Sequence, residues 1–462
     1  MKGREVMELT YIDDLILKAK AAQQELETYT QEEVDRIVKT IGKTIYDNAE
    51  LLAQEAVAES GYGRVDSKTW KQKKSCMAAW VYLRDKKSVG IIEEDPINQT
   101  VTYAKPVGVI ACLSPSTNPT STVASNGMSC VKARNAIIVT PHPRTKKCTL
   151  HGVTLINEAL KAIKSPENLI QIIEEPTTTL SQELMSKCDV TIATGGTGMV
   201  KAAYSSGRPS YGVGQGNVQT IIADDYTDFA NVASIVVSNR FYDNGMPCTC
   251  DQTVHIPRKY RDQILEEFQE AGAFIIEDNA KKDLLTQVLF KEDGTTNPRN
   301  VGMLAVDIAK RIDIEVPAET LILMAEASGV AKADLLCKEK LNPVLTFIAY
   351  DTFQEGVENA RQNLLMEGAG HTVVVFTNER VSANYVGEKL PVSRVVVNQA
   401  GGTASGGNLC NGLKPTMSLG CGSWGNNSIS ENLTYRHLMN TTIVAYPIPD
   451  ARFPTPEEVW GE

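Results

Sequence analysis

The sequence predicts an α/β protein in which two parallel-sheet units follow a helical N-terminal segment. Three observations carry this. From Pro106 onwards, short continuous apolar runs alternate with helical stretches, the pattern of strands covered on both faces by crossover helices. Residues 1–85 instead carry apolar side chains at helical spacing. A chain of 462 residues with 42% hydrophobic and 22% charged residues is an ordinary globular protein, long enough for two or three domains.

The elements follow in order. Helices are expected around Tyr11-Ile12, Leu15-Ile16 and Ala19, around Val34, Ile37-Val38, Ile41 and Ile45, and around Leu51-Leu52 and Ala56-Val57, where the spacing gathers the apolar residues on one face. Residues 89–105 read as a β-hairpin turning at Asp95-Pro96-Ile97-Asn98. A first set of strands is expected at 107–113, 136–140, 170–173, 190–193 and 218–223. A second is expected at 273–276, 301–304, 321–324, 344–349, 372–376 and 395–398, with a strand at 253–256 after the joint near Arg240. The Pro-rich stretch after Tyr446 reads as an ordered surface arm.

Charge and composition exclude several classes. The balance of 46 Lys+Arg against 56 Asp+Glu, net −10, argues against nucleic acid as the main partner. No apolar run reaches the roughly 18 residues of a membrane span, and the opening MKGREVMELTYIDD has no apolar signal core. A cytoplasmic enzyme with no membrane partner is expected, and its ten cysteines then read as reduced thiols. Cys248-Thr249-Cys250 is CxC, and no second Cys/His pair has zinc spacing, so no metal is expected.

Three stretches carry chemistry. After the strand at 190–193 comes Thr194-Gly195-Gly196, which suits a phosphate loop or simply a tight turn. The strand at 136–140 ends in Thr140-Pro141-His142-Pro143-Arg144-Thr145-Lys146-Lys147. Dinucleotide folds that hold a ribose 2′-hydroxyl place an acid near here; this stretch is basic and suits a 2′-phosphate, or a solvated helix start. Cys248 lies in a loop at the junction of the two units, in Tyr242-Asp243-Asn244-Gly245-Met246-Pro247-Cys248, and is a candidate nucleophile.

These stretches, with 201–217 (KAAYSSGRPSYGVGQGN), 337–344 (CKEKLNPV), 367–372 (EGAGHT) and 419–438 (LGCGSWGNNSISENLTYRHL), resemble the aldehyde dehydrogenase superfamily, and within it the CoA-acylating branch, most of all CoA-dependent succinate-semialdehyde dehydrogenases. The resemblance implies a Rossmann-like cofactor domain (1–88 and 106–240), an α/β catalytic domain (241–432) and a β arm (89–105 and 433–462) joining a homodimer or homotetramer. It implies that Cys248 is the catalytic thiol and that Asn118 supplies the oxyanion-hole amide. Glu339 would hold the nicotinamide ribose, and Thr194, Gly195 and Gly196 would face the pyrophosphate. Thr140, His142, Arg144 and Lys146 would surround the adenosine ribose of NADP, or of NAD. His371 suits a satisfied loop histidine; the resemblance turns it towards an acid/base or CoA-thiol role. Cys250 is expected in the substrate pocket, and Lys414 is a candidate cation for an anionic aldehyde.

One departure is informative. Hydrolytic members carry a Glu that activates water for deacylation, and Val213 stands in its place. Valine cannot be a general base. The implied reaction is transfer of the acyl group to coenzyme A. Succinate semialdehyde is the first expected substrate, with sulfoacetaldehyde, acetaldehyde and propionaldehyde as alternatives. An acyl-phosphate reductase and a non-catalytic relative are the readings from other classes.

Overall fold

The computed structural model describes residues 10–461. Four helices open the chain: α1 (Tyr11–Glu27), α2 (Gln31–Asp47), α3 (Ala49–Ser60) and α4 (Val65–Leu83). Thr10 and Thr30 start the first two with capping boxes closed by Asp13 and Glu33, which satisfy N–H groups that no helical carbonyl reaches. Their apolar faces, Ile12 to Leu26 and Val34 to Ile45, enter one core with the first parallel sheet.

The hairpin forms as expected, from β1 (Ile91–Asp95) and β2 (Thr100–Pro106). The first parallel sheet follows with β3 (Val109–Leu113), α5 (Pro119–Lys132), β4 (Ala136–Thr140), α6 (Lys146–Ala162), β5 (Ile170–Ile172), α7 (Thr178–Lys187), β6 (Val190–Thr194), α8 (Thr197–Tyr204) and β7 (Ser210–Val213). Its strand order is β5-β4-β3-β6-β7, and every pairing is parallel. β3 and β4 are buried at every position, the reason their sequences are unbroken apolar runs.

The second sheet begins earlier than the joint expected near Arg240. β8 (Val218–Ile222) is consecutive with β7 but pairs with β9 (Asp251–Pro257) across the seven-stranded sheet. α9 (Phe229–Phe241) packs with it in the second core. An apolar run announces a buried strand without saying which sheet it joins, so 218–223 was expected in the wrong set. The chain continues with α10 (Arg261–Glu270), β10 (Ala273–Ile276), α11 (Asn279–Leu289), α12 (Ala305–Arg311), β11 (Ile322–Glu326), β12 (Val344–Tyr350), α13 (Phe353–Met366), β13 (Gly370–Phe376), α14 (Arg380–Lys389) and β14 (Val392–Val397). The order is β10-β11-β12-β9-β8-β13-β14.

The strand expected at 301–304 is a turn leading into α12. Gly302 there has φ +70, a left-handed backbone no strand uses. β7 was not expected from sequence; it is four residues long and follows a proline. After the short α15 (Gly401–Ala404), β15 (Met439–Ala445) pairs antiparallel with β2, which completes a three-stranded sheet β1-β2-β15. The short α16 (Pro456–Trp460) ends the described chain.

Candidate active site

In the first sheet β4 and β5 lie to one side of β3, and β6 and β7 to the other. The order therefore reverses between β3 and β6, and the loops leaving those strands splay apart into a crevice, the usual ligand position in such sheets. Those loops, 114–118 and 194–196, form one wall of a cleft of about 590 Å³. The facing wall comes from the amino ends of the second sheet: Gly214 and Gln215 before β8, and Cys248 before β9.

The segment that presents Cys248 is a left-handed turn, with φ of 49° at Asp243, 54° at Asn244 and 68° at Gly245. Asp and Asn tolerate this region better than other side-chain-bearing residues, and here both are tied down. The Asp243 carboxylate accepts from the Arg64 N–H at 2.9 Å, Lys68 Nζ at 3.0 Å and Lys71 Nζ at 2.7 Å. Asn244 Nδ2 donates to the Gly302 carbonyl at 2.7 Å. Burial works to raise the Asp243 pKa, but Lys71 and Lys68 outweigh it and hold the carboxylate below its ordinary range. Burial pushes Lys68 down to about 8. Gly216 lies against this segment so closely that a Cβ there would sit 2.1 Å from the Cys248 carbonyl oxygen.

Cys248 itself is partly exposed on the cleft wall. Burial of its sulfur, then the Glu339 carboxylate, push the thiol up to about 12, against a weaker pull from Arg394. Arg394 is buried, with Nη2 on the Gly420 carbonyl and Nη1 unpartnered. Glu339, also on the cleft, is pushed up to about 8 by burial and then by Glu367, whose carboxylate accepts from the Glu339 N–H at 2.8 Å.

Asn118 lines the same cleft as Cys248, from the 114–118 loop. It is the N-cap of α5, with Pro119 following, yet its side chain makes no capping bond; its Oδ1 instead accepts from Lys71 Nζ. Val213, at the end of β7, is buried and lines the same cleft.

A dinucleotide fits the remaining part. Thr194, Gly195, Gly196 and His142 line the cleft, and a Cβ on Gly196 would meet nothing within 4 Å. Glu339 Oε1, on the cleft, is buried without a partner, an orphaned group suited to a ligand hydroxyl; Thr140 Oγ1 is also buried and unpartnered, at the end of β4, but does not line the cleft. Arg144 lies with its guanidinium carbon 5.1 Å from the Tyr62 ring centroid and donates to the Tyr62 hydroxyl. The basic stretch is less free than its sequence implies. Lys146 pairs with Glu175, and the N–H groups of Lys147 and Cys148 donate to Glu59 at 2.8 and 2.9 Å.

The profile of the aldehyde dehydrogenase family matches residues 6–285. The chain belongs to this family. It is 47% identical over 450 residues to the succinate-semialdehyde dehydrogenase (acetylating) of Clostridium kluyveri, covering 97% of this chain and 99% of that one. It is 39% identical to a sulfoacetaldehyde dehydrogenase of an Acholeplasma species, with 97% and 93% covered. The crystal structure of an acetylating aldehyde dehydrogenase from Geobacillus thermoglucosidasius superposes with a TM-score of 0.92 at 35% identity, covering 98% of this chain and 100% of that one.

In this aldehyde dehydrogenase the fold brings Cys248, Asn118, Val213, Glu339, His142 and the 194–196 turn onto one cleft. Of the residues singled out from sequence, Thr140, Arg144, Lys146, His371, Cys250 and Lys414 do not line it. His371 is fully buried at the start of β13, its Nδ1 3.1 Å from the Thr372 hydroxyl. Burial, then Arg394, push it down to about 3. Cys250 is fully buried behind the nucleophile, beside Gly402, and burial pushes its thiol up. Lys414 pairs with Glu431 at 2.8 Å, so it is not the free cation expected for an anionic aldehyde. Lys71, Asp243, Gln215 and Glu367 were missed. Asp243 lay within a motif already noted, but a lysine-rich helix face reads as solvated unless its acidic partner is known.

Proposed function

We propose that this aldehyde dehydrogenase is CoA-acylating. It interconverts a short anionic aldehyde, with succinate semialdehyde first, and the corresponding acyl-CoA. The observation that carries the reading is Val213 in the cleft with Cys248: an acyl group on the thiol has an apolar neighbour where hydrolysis needs a base. Coenzyme A needs less activation than water, since thiols ionise near 8.5 and bulk water near 15.7. The named activity of the Clostridium kluyveri relative supports the same reading.

In the oxidative direction Cys248 attacks the aldehyde carbon, and the Asn118 amide with the Cys248 N–H receives the developing oxyanion. The dinucleotide, when bound, supplies the hydride acceptor. Glu339, with Thr140 at the end of β4, would hold its hydroxyls, and the 194–196 turn would meet its phosphates. With a thiol resting near 12 on a wall open to the cleft, the proton passes to solvent as the carbonyl is engaged. Coenzyme A then takes the acyl group from Cys248, one thioester exchanging for another, so both directions are open. His371, a neutral imidazole away from the cleft, is given no proton-transfer step. NADP is the first choice of cofactor on the strength of Arg144, with NAD the alternative.

The anionic substrate class rests on a recess of about 70 Å³ that shares Lys71, Tyr242, Gly402 and Thr416 with the main cleft. It is lined by Lys74, Ser125 and Thr403 among others, and by no carboxylate. Lys74 has its Nζ 4.3 Å from the Trp70 ring centroid, and among the described residues it has no carboxylate partner. One turn of α4 separates Lys74 from Lys71, about 4.5 Å along the axis, close to the span from a four-carbon aldehyde's carbonyl to its carboxylate. A sulfonate suits the same surroundings, which keeps sulfoacetaldehyde as the second reading. The three-stranded sheet joins copies of the chain as an oligomerisation arm.

A panel of succinate semialdehyde, sulfoacetaldehyde, acetaldehyde and propionaldehyde, each with NAD or NADP and with CoA, tests this through reduced-cofactor absorbance. The highest kcat/KM is expected for succinate semialdehyde with NADP. A preference for acetaldehyde over both anionic substrates would overturn the substrate assignment.

A further inference from the structure

We propose that Lys71 is a positioning residue for the oxyanion hole: it holds Asn118 with the amide nitrogen facing the carbonyl on Cys248. This rests on Asn118 being the oxyanion donor, as above. An ammonium has three donors and no acceptor, so the atom it meets on Asn118 must be the carbonyl oxygen. Lys71 Nζ reaches Asn118 Oδ1 and, at 2.7 Å, Asp243 Oδ2. With the oxygen occupied there, Nδ2 is left for the cleft, which is the orientation an oxyanion needs.

The reverse orientation has its own attraction. Asn at a helix N-cap ordinarily turns its oxygen onto the N–H groups of the first turn. Asn118 sits at that position of α5 and makes no such bond. Lys71 competes with the cap and wins, because its charged donor is buried and already anchored. Its side chain is 9% exposed and that of Asp243 is 0% exposed. Asp243 lies in the turn that presents Cys248, so one carboxylate fixes both the donor's partner and the nucleophile's loop. Without the ammonium, Asn118 is free to rotate into the capping position and remove its donor from the cleft.

The test compares Lys71→Met, Asn118→Ala and the double variant in the full-length enzyme. Acylation is read as the single-turnover burst of reduced cofactor with succinate semialdehyde, and Cys248 reactivity as alkylation by iodoacetamide, which needs no oxyanion hole. Lys71→Met is expected to slow acylation by about 10²–10³-fold, the worth of one oxyanion donor. The double variant should be no slower than Asn118→Ala alone, and alkylation should stay within about threefold of wild type. Lys71→Gln is measured in parallel, so that loss of the melting transition in the methionine variant leaves the test standing. Multiplicative losses in the double variant, or alkylation falling in step with acylation, would overturn the positioning role. Normal acylation in Asn118→Ala would overturn the oxyanion reading itself.

Discussion

The side chains of the cleft are governed by desolvation more than by attraction. Cys248 rests near 12 and Glu339 near 8, each raised first by burial. For the thiol, the rate of iodoacetamide alkylation in the resting enzyme should climb with pH from 6 to 10 without levelling; a plateau near pH 7–8 would show a pre-formed thiolate. For Glu339, the folded chain keeps its proton up to about 8, while the unfolded chain releases it near 4.3. Between those values the folded state binds more protons, so this group's contribution to stability falls as pH rises. Glu339→Gln removes that loss. Its melting temperature relative to wild type should increase from pH 5 to pH 8 in thermal unfolding, and a constant difference would count against the buried acid. That Cys248, Asn118 and Glu339 would share one cleft was legible in sequence, because their flanking motifs are distinctive. The location of His371 was not, since a glycine-rich loop does not reveal whether its histidine faces a cleft or a core.

Among the elements, α4 was the least legible. Its lysines at 68, 71, 73 and 74 carry no sign of burial in the sequence, yet Lys68 and Lys71 are buried against Asp243. Buried cations need an acidic partner, and that partner lies 172 residues from Lys71 along the chain, a separation no local pattern discloses. The same helix places Lys74 on the recess beside the main cleft. Lys74→Met should raise KM for succinate semialdehyde about tenfold, the worth of one charge-assisted hydrogen bond, and leave KM for propionaldehyde unchanged in initial-rate assays. Equal effects on both aldehydes would remove Lys74 from anion recognition. The strands were the most legible elements, because strands buried on both faces are continuous apolar runs. The exception at 301–304 shows the limit: with Gly302 left-handed, that apolar stretch bends into α12.

For the whole molecule, the catalytic arrangement comes from opposing the carboxyl ends of one parallel sheet to the amino ends of another. The existence of two α/β units was legible, but the partition of strands between them was not, because β7 and β8 are neighbours in sequence and belong to different sheets. The three-stranded sheet exposes Ile443, with Ile97 in the β1–β2 turn and Tyr446 just past β15, apolar groups that a solitary chain leaves in water. Ile443→Lys should shift the enzyme towards monomer in size-exclusion chromatography with light scattering; an unchanged mass would dissociate this sheet from assembly. The central claim is that the acyl group leaves Cys248 for coenzyme A rather than for water. The most direct measurement follows products from succinate semialdehyde and oxidised cofactor with and without CoA. With CoA, succinyl-CoA and reduced cofactor should accumulate in equal amounts over many turnovers, and without CoA turnover should stop after about one equivalent per thiol. Steady release of free succinate in the absence of CoA would contradict the account.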